Sequence, residues 1–409
     1  MKEKEYWLFV KPYTYYNNKG NCILLYNTVT SKVLLSKETK VIELLEDLFS
    51  EPNLGCIICT ESRLSESKIR SFISEFTNKE MGGVMEVDPA HVRPIQLLPI
   101  LKLQNESRYN DNSFSADINI RQYLLTLNLI IDGELIKNYA SKTNNDELLG
   151  NRNTEFDTDM LKVYFLKIIP ELKFTSLSTI NIIGYDPFSY KWLRDILIAC
   201  QQIDNTDVHI WCHYMKCQLV GDFIYDIVVD DCINEMVICD CLRRLDEHNY
   251  KYILHYFIKN EEEYKVASSL TESLKLEDVI YHPIYTGTNI EFFKHYVYID
   301  SNDILAEPIS YRDIFARQKI NTNFFGTLTI HRNCDVTADI MSRVIGNLSE
   351  HTLLEIISTE LKENTSWRKV RINSPCSDCL YQYLCPSPTH YENIIGQSNL
   401  CHIIECEYE

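Results

Sequence analysis

The chain has 409 residues, 45% of them hydrophobic, and a formal net charge of -18, which fits a globular protein of two or three domains with ample core. That acidity argues against a nucleic-acid or anionic-membrane partner, because both require a cationic face. No apolar run reaches membrane-spanning length, Met-Lys-Glu-Lys-Glu leads into an aromatic segment without a signal core, and 15 scattered cysteines suit a reducing compartment, so a cytoplasmic location is expected.

Residues 5–10 and 22–29 read as strands separated by a turn at Asn17, Asn18, Lys19 and Gly20, and residues 32–35 as a third strand completing a meander. Helical spacing of apolar residues predicts helices over 37–48 (Val41, Ile42, Leu44, Leu45, Leu48) and 65–76 (Ile69, Phe72, Ile73, Phe76). Gly82-Gly83 then ends a small α+β module over 1–88. This order and the phrase Leu25-Tyr26-Asn27-Thr28 resemble the winged-helix, PqqD-like recognition module of peptide-modifying enzymes. The resemblance implies that residues 21–36 and 65–76 take an extended leader peptide as an added strand lying against a helix. A small structural domain is the plain alternative. Pro89, Pro94 and Pro99, then the polar run 105–112, mark a linker over 89–118.

From 119 to 320 apolar strands and amphipathic helices alternate. Strands are predicted at 123–131, 179–183, 208–212, 224–229, 252–258 and 279–281, and helices at 157–172, 192–202, 232–245 and 261–274. Such alternation implies a parallel sheet with helices outside, closed or partly closed as a barrel. Leu124-Leu125-Thr126-Leu127-Asn128-Leu129 resembles the first strand of the radical S-adenosylmethionine barrel, whose following loop carries three cluster-binding cysteines. Here that loop, 131–140, has no cysteine, so radical initiation and S-adenosylmethionine binding are not expected. Gly184-Tyr185-Asp186-Pro187 resembles the family's Gly-Gly-Glu-Pro turn with its second glycine replaced by Tyr185; it also reads as an ordinary strand-to-helix turn. His209, His213 and His255 lie beside aromatics and read as satisfied core histidines, and Glu261, Glu262 and Glu263 as a solvated helix start.

Residues 325–336 alternate like a hairpin turning at Asn333, followed by the phrase Ile345-Gly346-Asn347-Leu348 and a helix at 352–362. Cys376, Cys379, Cys385 and Cys401 then form a Cys-x2-Cys-x5-Cys-x15-Cys array, which can surround one metal centre with soft thiolates suited to zinc or an iron-sulfur cluster. Cys200, Cys212, Cys232 and Cys239 read as buried filler, and Cys406 as a spare.

The C-terminal order resembles the SPASM extension of radical peptide maturases, and implies that Cys376, Cys379, Cys385 and Cys401 match its second auxiliary cluster. Its first cluster is expected to be lost: Thr389 and Asp339 stand at two ligand positions, and Cys334 takes a turn position usually held by glycine. The fold class expected is α/β: a PqqD-like winged-helix module, a degenerate radical-SAM-like partial (β/α) barrel, and a SPASM-like metal-binding domain over 321–409. The whole layout resembles the pseudo-radical-SAM/SPASM proteins of Gly-Gly peptide systems of Bacteroidales-type bacteria. That resemblance implies a non-catalytic partner subunit in the maturation of a ribosomally synthesised peptide. It would bind the precursor leader, a true radical-SAM maturase or both, and carry one 4Fe-4S cluster, or zinc, on Cys376, Cys379, Cys385 and Cys401. The alternatives are an enzyme using the barrel mouth, with Tyr185 or Asp186 near its substrate, and a purely structural adaptor.

Overall fold

A computed structural model describes residues 3–88, 92–97, 118–132, 158–230 and 233–403. The N-terminal elements are β1 (Glu5–Val10), β2 (Thr14–Lys19), β3 (Cys22–Asn27), β4 (Val33–Ser36), α1 (Thr39–Phe49), β5 (Cys56–Thr60), α2 (Glu61–Ser65), α3 (Ser67–Asn78) and β6 (Gly82–Glu86). They form two sheets, not the single meander expected: β1 pairs antiparallel with β5 and β6, whereas β2, β3 and β4 form a separate meander. Asn17, Asn18 and Lys19 belong to β2, and the chain turns at Gly20 and Asn21. Tertiary bonds outweigh turn propensity here, since the Asn17 and Asn18 amides donate to the Leu380 carbonyl and the Glu46 carboxylate, each at 2.8 Å. Gly82-Gly83 does not end the module but opens β6. A Cβ on Gly82 would lie 2.2 Å from the Phe9 carbonyl oxygen and the Phe76 ring, so glycine permits the close pairing of β6 with β1. Leu8, Val10, Ile23, Leu25, Leu44, Leu45, Ile57 and Phe76 make one buried core between the sheets and helices.

The middle of the chain builds β7 (Thr126–Ile130), α4 (Thr158–Leu172), β8 (Thr179–Ile183), α5 (Leu193–Cys200), β9 (Asp207–His213), β10 (Ile224–Val229), α6 (Glu235–Glu247), β11 (Tyr252–Ile258), α7 (Glu261–Leu274) and β12 (Val279–Pro283). β7 is shorter than expected, because residues 118–123 form a 3-10 turn. Asn234 and Asn260 set the starts of α6 and α7 by accepting the backbone N–H of Val237 and Glu263. Asp157, Cys232 and the polar run 105–112 lie outside the described residues. β7 to β12 are parallel neighbours in chain order, the arrangement the alternating pattern implies. One face packs Leu127, Ile180, Ile210, Ile227 and Leu254 against helical Phe165, Ile196, Ile238 and Leu270.

Three helices unforeseen in the sequence follow: α8 (Ile290–Tyr296), α9 (Ser301–Leu305) and α10 (Tyr311–Lys319). Asp300 with Asp303, and Ser310 with Asp313, form capping boxes that start the last two. The remaining elements are β13 (Thr327–Ile330), β14 (Asp335–Thr337), β15 (Val344–Asn347), α11 (Leu353–Glu363) and α12 (His390–Ile395). β13 pairs parallel with β7, and β14 and β15 continue antiparallel, so one nine-stranded sheet joins the middle and C-terminal regions. No helix among the described residues is long and apolar enough to cross a membrane.

Candidate functional site

The C-terminal cysteines sit on short turns fastened from several directions. Cys376 opens a 3-10 turn closed by the Cys379 N–H on the Cys376 carbonyl at 3.2 Å, and the Cys385 N–H bonds the Tyr381 carbonyl at 2.8 Å. Cys401 arrives from a distant loop and is pinned by a bridge to Ile299, flanked by backbone bonds from Ile299 to Leu400 and from His402 to Ile299. The Asn399 amide donates to the Cys401 sulfur at 3.0 Å, and the Arg371 guanidinium lies 3.8 Å from that of Cys376.

Burial pushes the Cys385 thiol up to about 12 against the lowering influence of Arg371, and Cys376, Cys379 and Cys401 each add to the rise. Burial also raises Cys376, with Arg371 opposing. Thiols held in the protonated form must lose their protons to a metal, which couples metal affinity to pH. The donor chemistry fits zinc or an iron-sulfur cluster. Among the described residues, no group of three or more His, Cys, Asp or Glu side chains stands in metal-holding geometry.

Asp339 and Thr389 converge on one cavity of about 660 Å³ that Cys376 also lines. Both have structural partners there. The Asp339 carboxylate accepts the Met341 N–H at 2.7 Å and lies 3.4 Å from the His390 ring, while Thr389 caps α12 in a capping box with Glu392. Arg371 and Glu392, their side chains each 8% exposed, form an ion pair at 2.9 Å in the wall of this cavity. Cys334 is buried at the β13–β14 turn with φ +67, the left-handed conformation that favours glycine.

The same cysteine-bearing turns receive the N-terminal module. Asn17 bonds the Leu380 carbonyl, the Lys19 ammonium bonds the Gln382 side-chain oxygen at 2.9 Å, and Tyr15, Leu24 and Tyr26 pack with Leu380, Tyr381 and Leu384. β2 is thus turned toward the cysteines, and β4 forms the opposite edge of the meander. The β3–β4 register and the bond from the Asn27 N–H to the Lys32 carbonyl direct the backbone groups of Val33 and Leu35 outward from the ladder. α3 runs beside that edge: Lys68 pairs with Glu38, and Lys79 donates to the Val33 carbonyl at 2.6 Å.

At the C-terminal end of β8, the Asp132 carboxylate accepts the Tyr185 N–H at 2.8 Å and the Asp186 N–H at 3.5 Å. A Cβ on Gly184 would lie 2.8 Å from that carboxylate, which accounts for the glycine. Asp186 pairs with Lys216 at 3.7 Å, and Tyr185 stacks on His213 with ring centroids 4.6 Å apart.

On the sheet face away from the helices, the structure assembles polar residues that the sequence does not connect. Asn128 donates to Thr329, Asn181 donates to Asn128, and Trp211 donates to Asn181, at 3.1, 2.8 and 3.3 Å. Asp226 joins His209 and His255, each at 2.7 Å, and His255 meets His282 at 2.8 Å. Of the three histidines expected to be satisfied in the core, His255 has both ring nitrogens occupied and His209 bonds Asp226 through Nδ1, whereas the buried His213 Nε2 makes no hydrogen bond among the described residues and lies 3.3 Å from the Asp230 carboxylate. The available signal was a polar side chain at an inward position of an otherwise Val/Ile-rich strand, as with Asn128, Asn181 and Asp226.

No protein-family model matches the chain, and no curated protein matches it. Among solved structures, one described as native anSMEcpe with bound AdoMet is similar at 9% identity, over 64% of this chain and 88% of that one, with a TM-score of 0.41. Another, native anSMEcpe with bound AdoMet and Kp18Cys peptide, is similar at 8% identity over 64% and 88%, with a TM-score of 0.38.

Proposed function

We propose that the chain is a recognition subunit in the maturation of a ribosomally made peptide, holding an extended precursor segment rather than performing radical chemistry. The single observation that carries this reading is the β4 edge. Leu35 turns its backbone N–H and carbonyl outward beside α3, and Val33 its N–H, the Val33 carbonyl being held by Lys79; an added strand gains affinity from such groups. The cysteine-free loop after β7 supports a non-radical role. Cys376, Cys379, Cys385 and Cys401 would hold zinc or a 4Fe-4S cluster whose part is to stiffen the turns that anchor β2. A radical-SAM maturase is the partner this reading implies.

Titrating the full chain with fluorescently labelled precursor tests the reading, together with co-purification of a radical-SAM maturase co-expressed with it. Saturable precursor binding that weakens when the β4 edge is altered supports recognition. Absence of both precursor and maturase binding leaves only a structural adaptor, and turnover of precursor by the chain alone makes it an enzyme.

A further inference from the structure

Two sulfurs of the cysteine array accept an N–H from outside it. The Arg371 guanidinium spends each nitrogen on a different partner: Nε donates to the Pro386 carbonyl at 2.6 Å, Nη2 pairs with Glu392 at 2.9 Å, and Nη1 donates to Cys376 Sγ at 3.8 Å. The group is planar, so fixing Nε and Nη2 fixes the direction of Nη1. The Arg371 carbonyl in turn accepts the Gln382 amide at 2.5 Å, and the side chain is 8% exposed, so the arginine has little room to turn away. At the far end of the array the Asn399 amide donates to Cys401 Sγ at 3.0 Å, its only side-chain hydrogen bond among the described residues.

A thiol is a weak acceptor, whereas a hydrogen bond to an ionised group is about twice as strong as a neutral one. Donors aimed at these two sulfurs therefore gain most when the sulfurs are deprotonated and bound to a metal. For an iron-sulfur cluster, such bonds favour the more negative, reduced state and so raise the reduction potential. Zinc has no redox change, and gains retention alone.

We propose that Arg371 and Asn399 are positioning residues of the cysteine centre, each holding one ligand sulfur, Cys376 or Cys401, by an N–H bond that strengthens metal retention and sets the electronic character of the centre. This rests on the reading of Cys376, Cys379, Cys385 and Cys401 as metal ligands.

The test compares Asn399→Ala, Arg371→Lys and Glu392→Gln with the parent, each as the full chain reconstituted anaerobically with iron and sulfide, or with zinc. Retention is read by competition with a chelator. A cluster is also read by its midpoint potential, and a zinc centre by the sulfur-to-metal charge-transfer band of the cobalt(II)-substituted chain. Asn399→Ala and Arg371→Lys, which keeps the charge opposite Glu392 but loses the planar fork, are each expected to weaken retention about tenfold. In both, a cluster is expected to fall in potential by about 59 mV, a tenfold change in a one-electron equilibrium, or the cobalt band to move to longer wavelength. Glu392→Gln breaks the ion pair but leaves both donors to sulfur, and is expected to move neither reading in that direction. A loaded parent whose potential or band is matched by Asn399→Ala and Arg371→Lys, or is moved equally by Glu392→Gln, overturns the inference while the metal reading stands. A parent that holds neither metal overturns both. Asn399→Ala strands no buried charge and decides the matter if Arg371→Lys does not fold.

Discussion

The side-chain amide of Asn17 donates to the backbone carbonyl of Leu380 at 2.8 Å across 363 residues of chain. With Lys19 on Gln382, it makes the cysteine-bearing turns part of the platform on which the N-terminal module rests. Asn17→Ala leaves the Leu380 carbonyl without this donor in a half-buried place and is expected to cost about 1 to 2 kcal/mol. Urea denaturation followed by tryptophan fluorescence checks it; an unchanged midpoint means that the apolar contacts of Tyr15, Leu24 and Tyr26 suffice.

The Arg371–Glu392 pair is buried on both sides, and Arg371 also donates to the Pro386 carbonyl at 2.6 Å. Removing one partner strands the other. Glu392→Ala is expected to destabilise the chain by about 3 to 5 kcal/mol, including loss of the Thr389 capping box. Thermal unfolding measures the loss, and a shift no larger than that of an exposed ion-pair variant such as Lys265→Ala would refute it.

His282 lies between Trp211, His255 and Phe257, with ring centroids 6.4, 5.1 and 5.1 Å away. Burial, then the neighbouring His255, depresses it from 6.5 to about 3. The unfolded chain therefore takes up a proton in that window that the folded chain refuses. The contribution is complete above about 6.5 and is lost as pH falls toward about 3, by at most about 1.4 kcal/mol per pH unit. His282→Phe is expected to flatten this part of the stability profile, measured by urea midpoints at successive pH values. Parallel profiles for parent and variant would remove His282 as the cause.

Leu35→Pro deletes an outward N–H of β4 while leaving the ladder bonds of Leu34 to β3 in place. Precursor affinity is expected to fall by about tenfold, with little change in unfolding midpoint. Full retention of affinity would place recognition elsewhere.

The parallel sheet was legible because strands covered on both faces read as near-continuous apolar runs, such as Thr179–Ile183, separated by helices with clear caps. β5 was not: Cys-Ile-Ile-Cys-Thr is a short apolar run that only pairing with β1 makes a strand. The cysteine array was visible through spacing alone, whereas its contact with β2 depends on residues more than 360 positions apart. Asp226, His209, His255 and His282 lie on four strands, and only the sheet register gathers them.

The most direct test of the proposed metal centre is elemental and acid-labile sulfide analysis of the anaerobically purified chain, with its visible spectrum, beside the Cys385→Ser variant. The account predicts about one zinc, or about four irons with about four sulfides and a broad visible band, per parent chain, and a marked loss in the variant. A parent chain with neither metal after reconstitution with iron, sulfide and zinc, or a variant that retains the full complement, would contradict it.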